Sequence, residues 1–264
     1  MTALKAIELS LAYGHRKVIE GLDVTFPDGE FTAIVGPNAC GKSTLLRGLS
    51  RLMSPTSGHV YLNGKDIASR ATVDIAKELG MLPQSHTMPE GLKVVDLISR
   101  GRFPYQTFLR RWSDEDDQAV AQALRTTGIE DLAQRRVEEL SGGQRQRVWL
   151  ATVLAQNPQT ILLDEPTTYL DLAHQVDVLE LLAALPMQGH TVIAVLHDLN
   201  LAARYATHMI AMSAGEIVAH GAPTKILTAE LMDQAFGVKC RIIDDPETGT
   251  PLVVPKKNLR RPGP

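Results

Sequence analysis

An α/β fold built around a phosphate-binding loop is predicted by three observations. Gly36-Pro37-Asn38-Ala39-Cys40-Gly41-Lys42-Ser43-Thr44 fits G-x-x-x-x-G-K-[ST], between an apolar run and a helical pattern. Thr160-Ile161-Leu162-Leu163 is a second apolar run, and it ends in two carboxylates, Asp164 and Glu165. Strand-like and helical segments alternate on both sides of residues 86–156, a stretch of helices with no convincing strand. The predicted architecture is an α/β core with an antiparallel β region and an inserted α-helical subdomain.

The first segments, Ala6-Ile7-Glu8-Leu9-Ser10-Leu11 and Leu22-Asp23-Val24-Thr25-Phe26, alternate apolar and polar residues as half-buried strands do. Tyr13-Gly14-His15-Arg16-Lys17 reads as a loop between them, and Pro27-Asp28-Gly29 as a turn. Phe31-Thr32-Ala33-Ile34-Val35 is a buried strand that runs into Gly36. After the glycine loop, Leu45, Leu46 and Leu49 recur at helical spacing. Val60-Tyr61-Leu62 followed by Asn63-Gly64 is a strand with a tight hairpin turn. Leu79-Gly80-Met81-Leu82 is a short strand closed by Pro83-Gln84. In the helical stretch, Val94, Val95, Leu97 and Ile98 mark one helix. Ser113-Asp114-Glu115-Asp116 opens another as a capping box, and Gly128 stops it. Residues 142–155 form a third, ended by Asn157-Pro158. Strands at 160–163 and 191–196 then alternate with helices at 172–185 and 199–206. Beyond residue 208 come short strands, a helix after Pro223, a turn at Asp245-Pro246-Glu247-Thr248-Gly249 and a frayed end over 256–264.

Composition narrows the class. A chain of 264 residues, 44% hydrophobic and 22% charged, is long enough for one large domain or a core with a subdomain. A net charge of −3 and the lack of a basic stripe give no reason to expect nucleic acid as a partner. Cys40 and Cys240 do not suggest a disulfide framework, so a reducing compartment is expected. The first residues do not read as a signal peptide, and no apolar run approaches the length of a membrane span.

The chemistry follows from residue types. Backbone N–H groups of a glycine loop at a helix start form an anion site, and Gly36 and Gly41 let the chain curl around a phosphate. Lys42 can reach β- and γ-phosphates, and the Ser43 hydroxyl can ligate Mg²⁺. Pro37, Asn38, Ala39, Cys40 and Thr44 complete the cradle. Asp164, at a strand end in the ligand crevice, would face the Mg²⁺ shell. Glu165 would lie near the γ-phosphate, where a carboxylate can orient and deprotonate water. In Leu140-Ser141-Gly142-Gly143-Gln144, Ser141 caps a helix, and two consecutive glycines expose N–H groups that could grip another phosphate.

With these motifs in this order, residues 5–255 resemble the ATP-binding cassette (ABC) subunit of a transporter. The resemblance implies a P-loop NTPase core, with ATP and Mg²⁺ as ligands. It makes Tyr13 the adenine-stacking aromatic, Gln84 the lid glutamine at the metal and catalytic centre, and Ser141, Gly142, Gly143 and Gln144 the signature. Asp171 then belongs to the loop after the catalytic Glu165, and His197 is the switch histidine. It divides the chain into a nucleotide-binding core at 1–85 and 157–220, a helical subdomain at 86–156 and a C-terminal extension at 221–264. One cassette per chain implies a homodimer, with ATP sandwiched head to tail between the phosphate loop of one copy and the signature of the other. It also implies integral membrane permease subunits, a periplasmic or lipoprotein substrate-binding protein reached through them, and a peripheral place on the cytoplasmic face of the inner or plasma membrane.

Three shorter stretches are similar to one branch of that family. Thr167-Thr168-Tyr169-Leu170-Asp171 and Gly101-Arg102-Phe103-Pro104-Tyr105 resemble importers of iron chelates and vitamin B12. Asp245-Pro246-Glu247-Thr248-Gly249-Thr250-Pro251 resembles the end of ferric-siderophore ATPases. The expected function is ATP hydrolysis that powers uptake of an iron chelate. Import of vitamin B12, haem or a metal ion is the alternative, and a soluble nucleotide switch is a third. Cys40, where the family more often has a small residue, is expected to act as a small hydrophobe. Phe103, Tyr105 and Phe108, ringed by Arg100, Arg102, Arg110 and Arg111, are expected to receive a short permease helix.

Overall fold

The computed structural model describes residues 4–84, 90–106 and 112–257. Its first strands, β1 (Leu4–Tyr13) and β2 (Arg16–Phe26), pair antiparallel with Tyr13 opposite Arg16. The expected five-residue loop is therefore a two-residue turn at Gly14-His15, and Tyr13 and Arg16 project from strand ends. Next come β3 (Phe31–Val35), α1 (Lys42–Leu49), β4 (Ser57–Leu62), β5 (Lys65–Asp66), α2 (Thr72–Glu78) and β6 (Leu79–Leu82). The helical stretch contributes α3 (Val94–Ser99), α4 (Asp114–Thr127) and α5 (Gly142–Ala155). The alternation resumes with β7 (Thr160–Asp164), α6 (Leu172–Ala184), β8 (Thr191–Val195), α7 (Leu199–Tyr205), β9 (His208–Ser213) and β10 (Glu216–Gly221). Helices α8 (Pro223–Ile226) and α9 (Ala229–Phe236) and the hairpin of β11 (Cys240–Asp244) and β12 (Pro251–Pro255) follow.

A six-stranded sheet in the order β10-β9-β3-β8-β7-β6 carries the core. It is parallel except for the β9–β10 edge pair. Its central strands are apolar on both faces, as a covered parallel sheet requires. Ile161 and Leu163 point into one apolar layer with α3 to α7. Leu162 points into the other, which α1 shares with the antiparallel sheet β2-β1-β4-β5. Parallel register carries the strand ends Val35, Asp164 and Val195 to one edge, where α1 begins.

Helix α4 starts at the capping box expected from sequence, with the Ser113 N–H donating to Asp116 Oδ2 at 3.1 Å. Two helices, α2 and α9, were not expected from the sequence. In α2 only Ile75 is buried, so no apolar stripe marks it. Helix α9 does have a signal, because Thr228 Oγ1 accepts from the Leu231 N–H at 3.1 Å as an N-cap.

Arg102 does not ring an exposed surface. It is buried, its Nε donates to Asp116 Oδ1 at 2.8 Å, and its guanidinium lies 3.8 Å from the centre of the Tyr105 ring. Burial acts to raise the Asp116 carboxyl, but the Arg102 and Ser113 bonds outweigh it and hold the carboxyl below its usual value. Tyr105 also donates to the Gln156 carbonyl at 3.1 Å, so this aromatic ties the loop to α5. Arg102→Ala leaves the Asp116 carboxylate buried and unpaired, and is expected to lower unfolding free energy by about 3 kcal/mol in urea titrations. Phe108, Arg110, Arg111, the boundary at 85/86 and residues 258–264 lie outside the described residues.

Candidate nucleotide site

The edge where the parallel strands end opens into a pocket of about 560 Å³. Its floor is the glycine loop between β3 and α1. At Gly36 the backbone has φ 157°, and a Cβ there would stand 2.3 Å from the Met212 carbonyl and 2.8 Å from Cys40 Sγ. Only glycine lets the loop lie this close to β9. Helix α1 starts at Lys42 behind Gly41 with no side-chain cap, so its first-turn N–H groups face the pocket, whereas α5, α6 and α7 are each capped by a side chain. Asn38, Ala39, Gly41, Lys42, Ser43 and Thr44 line the pocket. Pro37 and Gly36 lie behind it, and their carbonyls accept from Lys42 Nζ at 2.9 and 2.8 Å. Cys40 is buried beneath the loop, as a small hydrophobe would be.

The carboxylates sit where β7 meets this floor. Asp164 Oδ1 accepts from Ser43 Oγ at 2.8 Å. Burial pushes the Asp164 carboxyl above its usual value; the Ser43 bond opposes this, and the charge of Glu165 adds to it. Glu165 is held from three sides. Its Oε2 accepts from Gln84 Nε2 at 2.6 Å and from Thr168 Oγ1 at 3.0 Å, and its Oε1 lies 2.6 Å from His197 Nε2. Gln84 and His197 come from distant parts of the chain and Thr168 from the turn just after Glu165, and together they fix the carboxylate at the pocket wall.

At the far end Tyr13 is half exposed, and its hydroxyl accepts from Arg47 Nη1 at 3.0 Å. Arg16 and Val18 line the same end. Arg16, Val18, Arg47 and Thr168 are additions to the residues expected from sequence. Arg47 stands one helical turn beyond Ser43, so helical spacing could have found it. Arg16 and Val18 are brought here by the hairpin register of β1 and β2, where residues 13–17 read as a loop.

Not every expected residue is here. Ser141, Gly142, Gly143, Gln144 and Asp171 are absent from the pocket lining. Ser141 Oγ accepts from the Gln144 N–H at 3.3 Å, and Gln144 Oε1 accepts from the Ser141 N–H at 3.0 Å, a capping box at the start of α5. Asp171 caps α6.

A second hollow of similar size lies beside the first inserted helix, bordered by Met81, Leu97, Arg100, Pro104 and Trp149. Phe103 is exposed near it, at 61%. No helix among the described residues is long and apolar enough to cross a membrane.

Comparison with known proteins gives a consistent picture. Residues 19–168 match the family described as ABC transporter. The chain is 55% identical to the ferric enterobactin transport ATP-binding protein FepC of Escherichia coli (strain K12), over 96% of this chain and 93% of that one. It superposes on a chain of an ABC transporter in an inward-facing conformation with TM-score 0.84 at 29% identity, covering 98% and 99% of the two chains. It also matches the ATP-binding cassette MJ0796, solved as a dimer in a post-hydrolysis state with ADP and Pi, with TM-score 0.72 at 28% identity over 83% and 98%.

Proposed function

The chain belongs to the ABC transporter family as an ATP-hydrolysing subunit, and from this premise we propose that it powers import of an iron chelate through a separate membrane permease. The observation that carries the ATPase chemistry is the Glu165 carboxylate, held by Gln84, Thr168 and His197 at the wall of a phosphate-loop pocket. The iron-chelate assignment is supported by the 55% identity to a ferric enterobactin transport protein across nearly the full length of both chains. Uptake of labelled ferric siderophore in cells whose own subunit is deleted tests it. Restored uptake of a ferric chelate, without restored uptake of vitamin B12 or haem, is the expected result.

ATP would place its phosphates on the N–H groups at the start of α1, with Lys42 swinging from the Gly36 and Pro37 carbonyls to the β- and γ-phosphates. Tyr13 would stack on the base while Arg47 holds its hydroxyl. The donor set fits Mg²⁺: Ser43 Oγ and Asp164 are hard oxygen ligands already 2.8 Å apart, and Gln84 lies across the pocket. Bound Mg²⁺ supplies neutralisation of phosphate charge. Glu165 would accept the proton of the attacking water, and His197 would keep that carboxylate aimed. Rigid positioning and charge carry the catalysis.

Two copies are needed to complete the site, because the signature lies outside the pocket of its own chain. In the head-to-tail arrangement, Ser141, Gly142, Gly143 and Gln144 of one copy would cover the γ-phosphate on the other, with Asp171 beside that interface. Hydrolysis would then release it. The subunit would sit on the cytoplasmic face of the membrane, and a substrate-binding protein would deliver the chelate to the permease from outside.

The hollow beside Phe103 is the proposed seat of a permease helix. Phe103→Ala is expected to cut chelate uptake while ATPase activity of the isolated subunit and its melting temperature persist. Full uptake with this variant would remove Phe103 from coupling. Tyr105→Ala is expected to lower melting instead, because Tyr105 is bonded to Gln156 and stacked on Arg102.

A further inference from the structure

The signature turn and the loop after Glu165 meet within one chain, and His174 joins them. Asp171 Oδ1 accepts from the His174 backbone N–H at 2.9 Å and from its ring Nδ1–H at 2.6 Å. These bonds, the backbone one foremost, hold the Asp171 carboxyl below its usual value. The imidazole orientation is thereby set. Its far edge lies on the second signature glycine: a Cβ on Gly143 would stand 2.1 Å from His174 Cδ2 and 2.7 Å from Nε2. The ring cannot turn aside without losing its bond to Asp171. One turn further along both helices, Arg147 Nη2 donates to Asp177 Oδ2 at 2.5 Å. Helices α5 and α6 thus touch at one turn and are bonded at the next, which opposes rotation of α5 about its axis. On the other side the network continues to the carboxylate. Gln175 Nε2 donates to the Leu170 carbonyl at 2.9 Å, and Thr168 donates to Glu165 through both its backbone N–H and its hydroxyl.

We propose that His174 is a positioning residue that couples the signature turn to the loop carrying Glu165, so that the two ATP sites of the dimer respond to each other. This rests on the shared-site reading, in which a chain's signature serves its partner's nucleotide and its Glu165 serves its own. Closure on the partner's ATP presses on Gly143, and the imidazole passes that displacement to Asp171 and the loop before it. The contact of His174 with Gly143, followed by the bonds and main chain of residues 165–175, supplies the physical route.

Steady-state ATPase assays test this. His174→Ala is expected to lower kcat about tenfold with little change in KM, since the loss is of geometry and not of nucleotide contact. The Hill coefficient for ATP is expected to fall to unity. His174→Asn is expected to restore most of both, because its amide nitrogen reaches the Nδ1 position. Gly143→Ala is expected to cost about a hundredfold through its clash with the ring. Adding His174→Ala to Gly143→Ala should raise activity back to the level of His174→Ala alone. Wild-type kcat and Hill slope in His174→Ala, or a Gly143→Ala defect that His174→Ala does not relieve, would overturn the proposal. Should the alanine variant fail to fold, His174→Ser, which also removes the ring, gives the same test with and without Gly143→Ala. Light scattering of Glu165→Gln with MgATP separates the two claims. A chain that stays monomeric there removes the shared site and this coupling with it, whereas a dimer alongside unchanged His174→Ala kinetics rejects the coupling alone.

Discussion

Glu165→Gln is expected to bind MgATP, to hydrolyse it about a thousandfold more slowly than the wild type and to accumulate as a closed dimer. The substitution keeps the size of the side chain and removes its proton-accepting charge. The surrounding bonds favour this outcome over collapse of the site. The amide oxygen can still accept from Gln84 Nε2 and Thr168 Oγ1, and the new NH₂ group faces His197 Nε2, which accepts once its proton sits on Nδ1. The phosphate cradle is untouched, so nucleotide should still draw two copies together, and slow hydrolysis should keep them there. Phosphate release and light scattering read the two effects separately. A wild-type hydrolysis rate would exclude Glu165 as the base.

Ser141→Arg is expected to abolish that pairing while leaving nucleotide binding to the chain's own phosphate loop intact. Ser141 is exposed at the start of α5, outside the pocket of its own chain. In the shared-site arrangement proposed above, a bulky side chain there would meet the nucleotide only across a dimer. Its local cost is the lost N-cap, about 1 kcal/mol, too little to unfold a domain with this core. In the Glu165→Gln background, fluorescent-nucleotide binding should persist and the MgATP-dependent dimer peak should vanish. An undiminished peak would refute the shared-site geometry.

Much of this was legible because the governing rules are local. The glycine loop, the strand ending in Asp164-Glu165 and the capping boxes at Ser113 and Ser141 each follow from a few adjacent residues. The apolar strands over 160–163 and 191–196 are readable because burial on both faces leaves no polar alternation. What the sequence hid depends on how side chains are turned toward one another in the folded chain. Arg102 reads as a surface cation because Asp116, the carboxylate that pairs with it, lies 14 residues away. Thr168 stands only three residues beyond Glu165, but its bond to that carboxylate depends on the turn after β7, where Glu165 itself has φ 55°. Short α2 escaped because a helix with one buried residue has no amphipathic pattern.

The central claim, that each ATP site is built from two copies, is tested most directly by mixing two defective chains. Both carry Glu165→Gln; one also carries Lys42→Ala in the phosphate loop, and the other Ser141→Arg in the signature. Alone, each chain should show no MgATP-dependent dimer in light scattering, because both of its sites would be damaged. Mixed, the two lesions fall on the same site of a heterodimer and leave the other site intact. A dimer peak that appears only in the mixture and only with MgATP is the predicted result. A mixture that remains as monomeric as its two components would contradict the shared site.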